Sequence, residues 1–168
     1  MNSRPNSGVE PRNASARTRL NVFERVDEMG KYLGQRLEEL KGQPEVEADL
    51  RRTLGMVYRD LAIYTNAEAM LQRSLKLREK AHGSDSLDVS DVVFHLSEVY
   101  RLEGRNEKAE RGFRRALEIR RQLLPGDNLQ VAESLFGLAE IARRDKSRLG
   151  ESEALHREAL RRPAGMRR

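Results

Sequence analysis

Apolar residues recur at three- and four-residue steps along most of this chain, which is the spacing of helices that bury one face. The first such stripe begins at Leu20 and continues through Leu33, Leu37 and Leu40. Gly42 and Pro44 predict its end, because glycine accepts a left-handed cap and proline cannot continue the interior of a helix. The pattern therefore predicts an N-terminal capping helix within residues 20–44.

The apolar pattern then repeats at a step of 42 residues. The sequence LGMVY at residues 54–58 recurs as LSEVY at residues 96–100, and AE at residues 67–68 recurs at residues 109–110. A third, degenerate copy begins at Val131, and Ala142 stands where the first two copies have tyrosine. A fixed period of this length is typical of stacked helical repeats. It predicts repeats at residues 45–87 and 88–129, and a degenerate repeat with a cap at residues 130–162.

Composition changes this picture mainly at the two ends of the chain. The net charge is +5, yet residues 1–19 carry four arginines against one glutamate and residues 161–168 carry four arginines and no acid. Residues 1–19 are too polar to offset the entropy of ordering them, which predicts a disordered basic tail, and residues 163–168 form a second basic tail. The Arg- and Ser-rich composition of residues 1–19 also resembles an organelle transit peptide, without its amphipathic pattern.

The absence of cysteine excludes disulfides and thiolate metal sites. No apolar run is long enough for a membrane span or a secretory signal, so the sequence predicts a cytoplasmic protein.

The repeated residues resemble a tetratricopeptide repeat. LGMVY at residues 54–58 matches the Leu-Gly-x-x-Tyr of the first helix of that repeat, and AERGF at residues 109–113 matches the Ala-x-x-x-Phe of the second. The usual repeat has about 34 residues, so the 42-residue step is similar to the long form in kinesin light chains and related bacterial proteins. The resemblance covers residues 45–160. It implies an all-α fold, a right-handed superhelix of antiparallel helix pairs, and a concave face that binds peptides or helices of other proteins.

The family's usual tryptophan is absent here, and Arg51, Val93 and Leu135 occupy its place. In kinesin light chains asparagines recur along the groove, whereas this chain has Thr53, His95 and Gly137 at those positions. The resemblance therefore carries over no particular partner.

One stripe on each first helix lies opposite its apolar seam, because its residues are spaced by three and four. These stripes supply the candidate partner-binding residues, which are Arg52, Met56, Arg59, Phe94, Glu98, Arg101, Phe136, Glu140 and Arg143. Two alternatives stay open. The glutamates and arginines of the second and third copies stand at i, i+3 and could simply pair along their own helix. The two phenylalanines are either exposed aromatic anchors or part of the packing between repeats.

An Ala double mutant of Phe94 and Phe136 separates those alternatives. Anchors predict lost partner binding with an intact fold, whereas core rings predict unfolding.

Three classes of function remain at this point. A protein-binding scaffold that takes an unidentified protein or peptide, as a monomer or weak homodimer, is favoured. A nucleic-acid-associated protein that uses its Arg-rich ends is the less favoured alternative. An enzyme is improbable: His82, Ser84 and Asp85 lie in one polar turn and cannot converge as a triad, and no histidines stand at metal-ligand spacing. The sequence thus predicts no catalytic residue, cofactor or metal.

Overall fold

The computed structural model describes residues 28, 30–37, 39–40, 42–125 and 128–161, and every element within them is helical. The chain divides into two units, residues 1–42 and 43–168. In the first unit residues 30–37 are helical, and Arg36 Nη1 donates to Glu39 Oε2 at 2.7 Å. The predicted tails at residues 1–19 and 163–168, and the predicted start of the leading helix at Leu20, lie outside the described residues.

The second unit contains three consecutive helix pairs. The helices are α1 (Pro44–Asp60), α2 (Tyr64–His82), α3 (Leu87–Leu102), α4 (Asn106–Leu123), α5 (Leu129–Arg143) and α6 (Leu149–Ala159), with a short 3-10 turn at Lys146–Arg148. Each odd-numbered helix packs on the even-numbered helix that follows it, and the pairs stack through α2 on α3 and α4 on α5. This all-α solenoid confirms the predicted fold class.

Three of the six helices begin beside a residue that favours the start of a helix. Pro44 is the first residue of α1, a position where the missing N–H of proline loses no hydrogen bond within the helix. It therefore begins α1 as well as ending the apolar stripe that precedes it. Ser86 Oγ accepts a hydrogen bond from the Val89 amide at 3.3 Å at the start of α3. Asn128 Oδ1 accepts from the Gln130 amide at 2.8 Å at the start of α5. These side chains satisfy amides that have no partner within the helix.

The first two pairs have the same turn between their helices. It contains one left-handed residue, Ala62 with φ 59° in the first pair and Gly104 with φ 77° in the second. In the first turn the Ile63 amide donates to the Tyr58 carbonyl at 2.8 Å, and the corresponding bond after α3 has the same length. The third pair uses the 3-10 turn instead, in the polar segment where the sequence departs from the repeat.

Small residues allow the two helices of a pair to approach closely. Ala67, Ser74, Ala109 and Ala116 are all fully buried, as their size predicted. Ser74 Oγ donates to the Ala48 carbonyl across the first pair at 2.7 Å. The side chains that fill the interior around the second and third pairs are Ala109, Phe113, Leu117, Val131, Leu135, Leu138 and Ile141.

Candidate protein-binding site

A pocket of about 430 Å³ opens between α3 and α5. It brings together five of the nine candidate residues, namely Phe94, Glu98, Arg101, Phe136 and Glu140. The rest of its lining, which the sequence did not identify, comprises Leu129, Ala132, Glu133, Gly137, Ala159 and Leu160. Arg52, Met56, Arg59 and Arg143 do not line it. We call this cavity the α3–α5 pocket.

The two phenylalanines of the α3–α5 pocket have different environments. Phe136 is 53% exposed, and its ring forms a T-shaped pair with the ring of His156, with the centroids 5.3 Å apart. Phe94 is half-buried, with its centroid 5.6 Å from that of Phe113, and the Arg120 guanidinium lies 4.7 Å from its centroid. Phe136 is therefore available to a partner, whereas Phe94 also belongs to the packing between repeats.

The repeats differ at one position of this pocket. In the second pair His95 of α3 contacts the first pair, where its Nδ1 accepts from Arg59 Nη1 at 3.2 Å, and its ring lies against Phe94. The residue 42 positions later is Gly137, which lines the pocket and has no side chain. A Cβ at residue 137 would lie 2.7 Å from the ring of Phe113, so the close packing of α4 on α5 favours glycine here.

The rim of the pocket carries paired charges. Arg101 Nη2 donates to Glu98 Oε2 at 2.7 Å, and Arg143 Nη2 donates to Glu140 Oε2 at 2.9 Å. The bond from Arg143 lowers the pKa of Glu140, and the bond to Glu98 raises the pKa of Arg101. Both are the i, i+3 pairs that the sequence left open as an alternative. The pair on α5 favours the ionised form of Glu140, and both pairs hold the arginines along their own helices.

Two of the three candidate residues of α1 contact α3. Arg52 Nη1 donates to Asp91 Oδ2 at 3.0 Å and also lies 3.7 Å from Met56 Sδ. Arg59 reaches His95, as described above. Burial lowers the pKa of His95 to about 4, so its ring is neutral at pH 7 and can accept this hydrogen bond. These side chains therefore connect the first pair to the second.

The sequence pattern did not predict that two arginines are buried. Arg120 is fully buried, and its Nη1 donates to the Gln130 carbonyl at 2.8 Å and to Ser134 Oγ at 2.9 Å. Burial lowers its pKa. Arg78, 42 residues earlier, is also buried; it donates to Asp49 and lies 3.1 Å from Asp88. The signal that could have found them is their shared place in the repeat.

The repeated glutamates also connect successive pairs. Arg105 Nη1 donates to Glu68 Oε2 at 2.5 Å, and Arg148 donates to both carboxylate oxygens of Glu110 at 2.8 and 2.9 Å. The hydrogen bond from Arg148 lowers the pKa of Glu110 to about 2. Glu68 and Glu110 of the repeated Ala-Glu thus each accept hydrogen bonds from an arginine of the following pair, in the turn between its two helices.

The described part of the chain contains no metal-binding cluster and no membrane-spanning helix. No group of three or more histidine, cysteine, aspartate or glutamate side chains there could hold a metal ion. None of its helices is long and apolar enough to cross a membrane. The Arg-rich segments that would serve nucleic-acid binding lie almost entirely outside the described residues, with only Arg161 inside them.

Comparison with known proteins agrees with this architecture. The model of the tetratricopeptide repeat matches residues 46–122 and 92–163, which together cover more than half of the chain. Among solved structures, BtubC (BKLC) from P. vanneervenii is similar, with a TM-score of 0.62 at 18% sequence identity. The match covers 88% of this chain and 64% of that protein's chain, so this chain spans less than two thirds of its length. No curated protein sequence matches. The chain belongs to the tetratricopeptide repeat family.

Proposed function

We propose that this protein is a non-enzymatic scaffold that binds a peptide or helix of a partner protein on the face formed by α1, α3 and α5. The observation that carries the proposal is the α3–α5 pocket, where the ring of Phe136 is 53% exposed beside a cavity of about 430 Å³. Exposed aromatic side chains beside a concave, mostly apolar cavity are typical of binding hot spots. Covering this ring would remove apolar surface from water, which favours association.

The packing around the pocket supports binding without rearrangement. The ring of Phe113 lies directly under Gly137, and both rim glutamates are held by arginines of their own helices. A pocket that is already formed spares the partner the cost of ordering these side chains. The scaffold therefore offers an apolar centre and a charged rim, which is the usual arrangement of a protein interface.

The test is capture of partner segments by the full chain from a displayed library of proteome-derived peptides. The test variant is Phe136→Ala, and the matched control is Leu123→Ala, since Leu123 is 51% exposed at the end of α4 and does not line the pocket. We expect wild type and Leu123→Ala to enrich the same peptides, and Phe136→Ala to lose them. Crosslinks from a captured peptide should fall on α3 and α5.

Phe94→Ala is left out of this test because its ring packs on Phe113 and Arg120, so lost binding could follow from a damaged fold. Equal enrichment by wild type and Phe136→Ala would contradict the proposal. So would crosslinks that fall only on α2, α4 and α6.

A further inference from the structure

The last helix pair ends in an apolar surface that nothing covers within the described residues. Leu129 at the start of α5 is 74% exposed, Leu160 just after α6 is 79% exposed, and Phe136 lies between them along the pocket. We call Leu129, Phe136 and Leu160 the terminal face. Scattered exposed leucines are ordinary, but three large apolar side chains around one cavity form a patch.

The same positions are less exposed in the preceding pair. Leu87, 42 residues before Leu129, is only 36% exposed, and Phe94, 42 residues before Phe136, is half-buried. Leu117 corresponds to Leu160 after the one-residue slip in the third copy, and it is 7% exposed. All three positions are more exposed in the third pair than in the second. Within the described residues, no helix packs on the terminal face as α5 packs on the second pair.

The structure also shows what kind of element covers such a surface. In the second pair the cover is α5, an amphipathic helix whose Val131 and Leu135 pack into one cluster with Leu117 and Phe94. Arg120 adds two hydrogen bonds to this helix, to the Gln130 carbonyl and to Ser134 Oγ. A helix suits this surface because its own backbone hydrogen bonds are already made. An extended segment would have to leave its amides against leucine and phenylalanine side chains.

We propose that the terminal face binds an amphipathic helix of a partner protein, which stacks on α5 and α6 as α5 stacks on α3 and α4. The proposal rests on the proposed function and names its partner class. The bound helix has about four turns, matching the 15 residues of α5, and carries apolar residues at i, i+3 or i+4, and i+7. One of these side chains enters the α3–α5 pocket beside Phe136.

The probe is a fluorescent synthetic peptide with the sequence of α5, residues 129–143, since this helix is the one that covers the equivalent surface within the chain. A peptide of the same composition, rearranged so that its apolar residues no longer form a stripe, is the control probe. The full chain is compared with its double variant Leu129→Glu, Leu160→Glu. Leu149→Glu is the matched control, because Leu149 is 47% exposed on α6 and lines no part of the pocket.

We expect saturable binding of the α5 peptide by anisotropy, with no saturation by the rearranged peptide. The double variant should weaken binding at least about tenfold, because it places two charges where apolar contacts form. Leu149→Glu should bind as wild type does. Isotope-labelled probe should show helical Cα shifts only when bound. Circular dichroism of each variant confirms that its fold is retained.

Three results would overturn the inference. They are absence of saturable binding, equal binding by the double variant, and a bound probe with extended Cα shifts. A dimer in light scattering that Leu129→Glu, Leu160→Glu dissociates would also overturn it, because a second copy would then be the occupant. Library peptides that bind through Phe136 in an extended conformation, with affinity unchanged by Leu129→Glu, Leu160→Glu, would support the proposed function and contradict this inference.

Discussion

Replacing Gly137 with alanine tests whether the pocket is built by tight packing of α5 on α4. The new Cβ would lie 2.7–2.8 Å from three ring carbons of Phe113, a ring that is fully buried. Overpacking of a core typically costs about 1–3 kcal/mol. Alanine in place of a helical glycine returns about 0.5–1 kcal/mol. We therefore expect the free energy of unfolding to fall by about 0.5–2 kcal/mol.

Gly150→Ala is the matched control because Gly150 also lies in a helix and a Cβ there meets nothing within 4 Å. This variant should gain a few tenths of a kcal/mol and lose nothing. Urea unfolding, followed by circular dichroism at neutral pH, measures both variants against wild type. The melting temperature of Gly137→Ala should fall by roughly 2–4 °C for each kcal/mol lost.

Equal stability of Gly137→Ala and Gly150→Ala would refute this reasoning, because it would show that the Phe113 ring does not lie against α5. A double-mutant cycle with Phe113→Leu identifies the contact itself. The smaller side chain makes room for the methyl group, so the double variant should be more stable than the sum of the single effects by about 0.5–2 kcal/mol.

Four further substitutions follow from the same structure, each measured by urea unfolding. Phe94→Ala should cost about 2 kcal/mol because its ring packs in the core, whereas Phe136→Ala, at a ring 53% exposed, should cost less than about 1 kcal/mol. Ala62→Gly should stabilise by about 0.5–1 kcal/mol, since it relieves an alanine at φ 59°. Arg148 lowers the pKa of Glu110 to about 2, so ionised Glu110 stabilises the fold above about pH 4.5, and this contribution is lost as pH falls toward 2. Glu110→Gln should be less stable than wild type at pH 7, with the difference disappearing near pH 2.

The fold could be predicted from the sequence because the repeat gives successive pairs the same neighbours. Leu96 and Val99 are buried in α3 at positions where α5 buries Leu138 and Ile141. A stripe of apolar residues at helical spacing fixes which face of each helix is inside. The 42-residue step then fixes which faces meet from pair to pair. Neither argument needs any knowledge of a partner.

The candidate site could be predicted only in part, because spacing along one helix does not show what the adjacent helix contributes. The stripe of α1 was expected to face a partner, but Arg52 binds Asp91 and Arg59 binds His95 of α3. The rings at positions 94 and 136 looked equivalent in the sequence. Within the described residues no helix packs on the third pair as α5 packs on the second, and Phe136 is 53% exposed whereas Phe94 is half-buried.

The buried arginines show a second limit of sequence patterns. A charged residue in a helix predicts solvent exposure, because burying an unpaired charge is costly. Arg120 is nevertheless fully buried, since the first turns of α5 present a carbonyl and a serine hydroxyl to its guanidinium. Those acceptors belong to residues 10 and 14 positions later, which lie in the next helix, so the apolar period of α4 does not reveal them.

The helix pairs stack in much the same way along the chain, and the pocket arises where residues differ between one repeat and the next. Arg52 and His95 fill the step from the first pair to the second with polar contacts. At the same positions one repeat later, the step to the third pair has Phe94 and Gly137. The exchange of arginine for phenylalanine places an apolar ring in the lining, and the exchange of histidine for glycine leaves that position of the lining without a side chain. Differences between repeats therefore have two results: Arg52 and His95 connect the first pair to the second, and Phe94 and Gly137 contribute to an apolar cavity one repeat later.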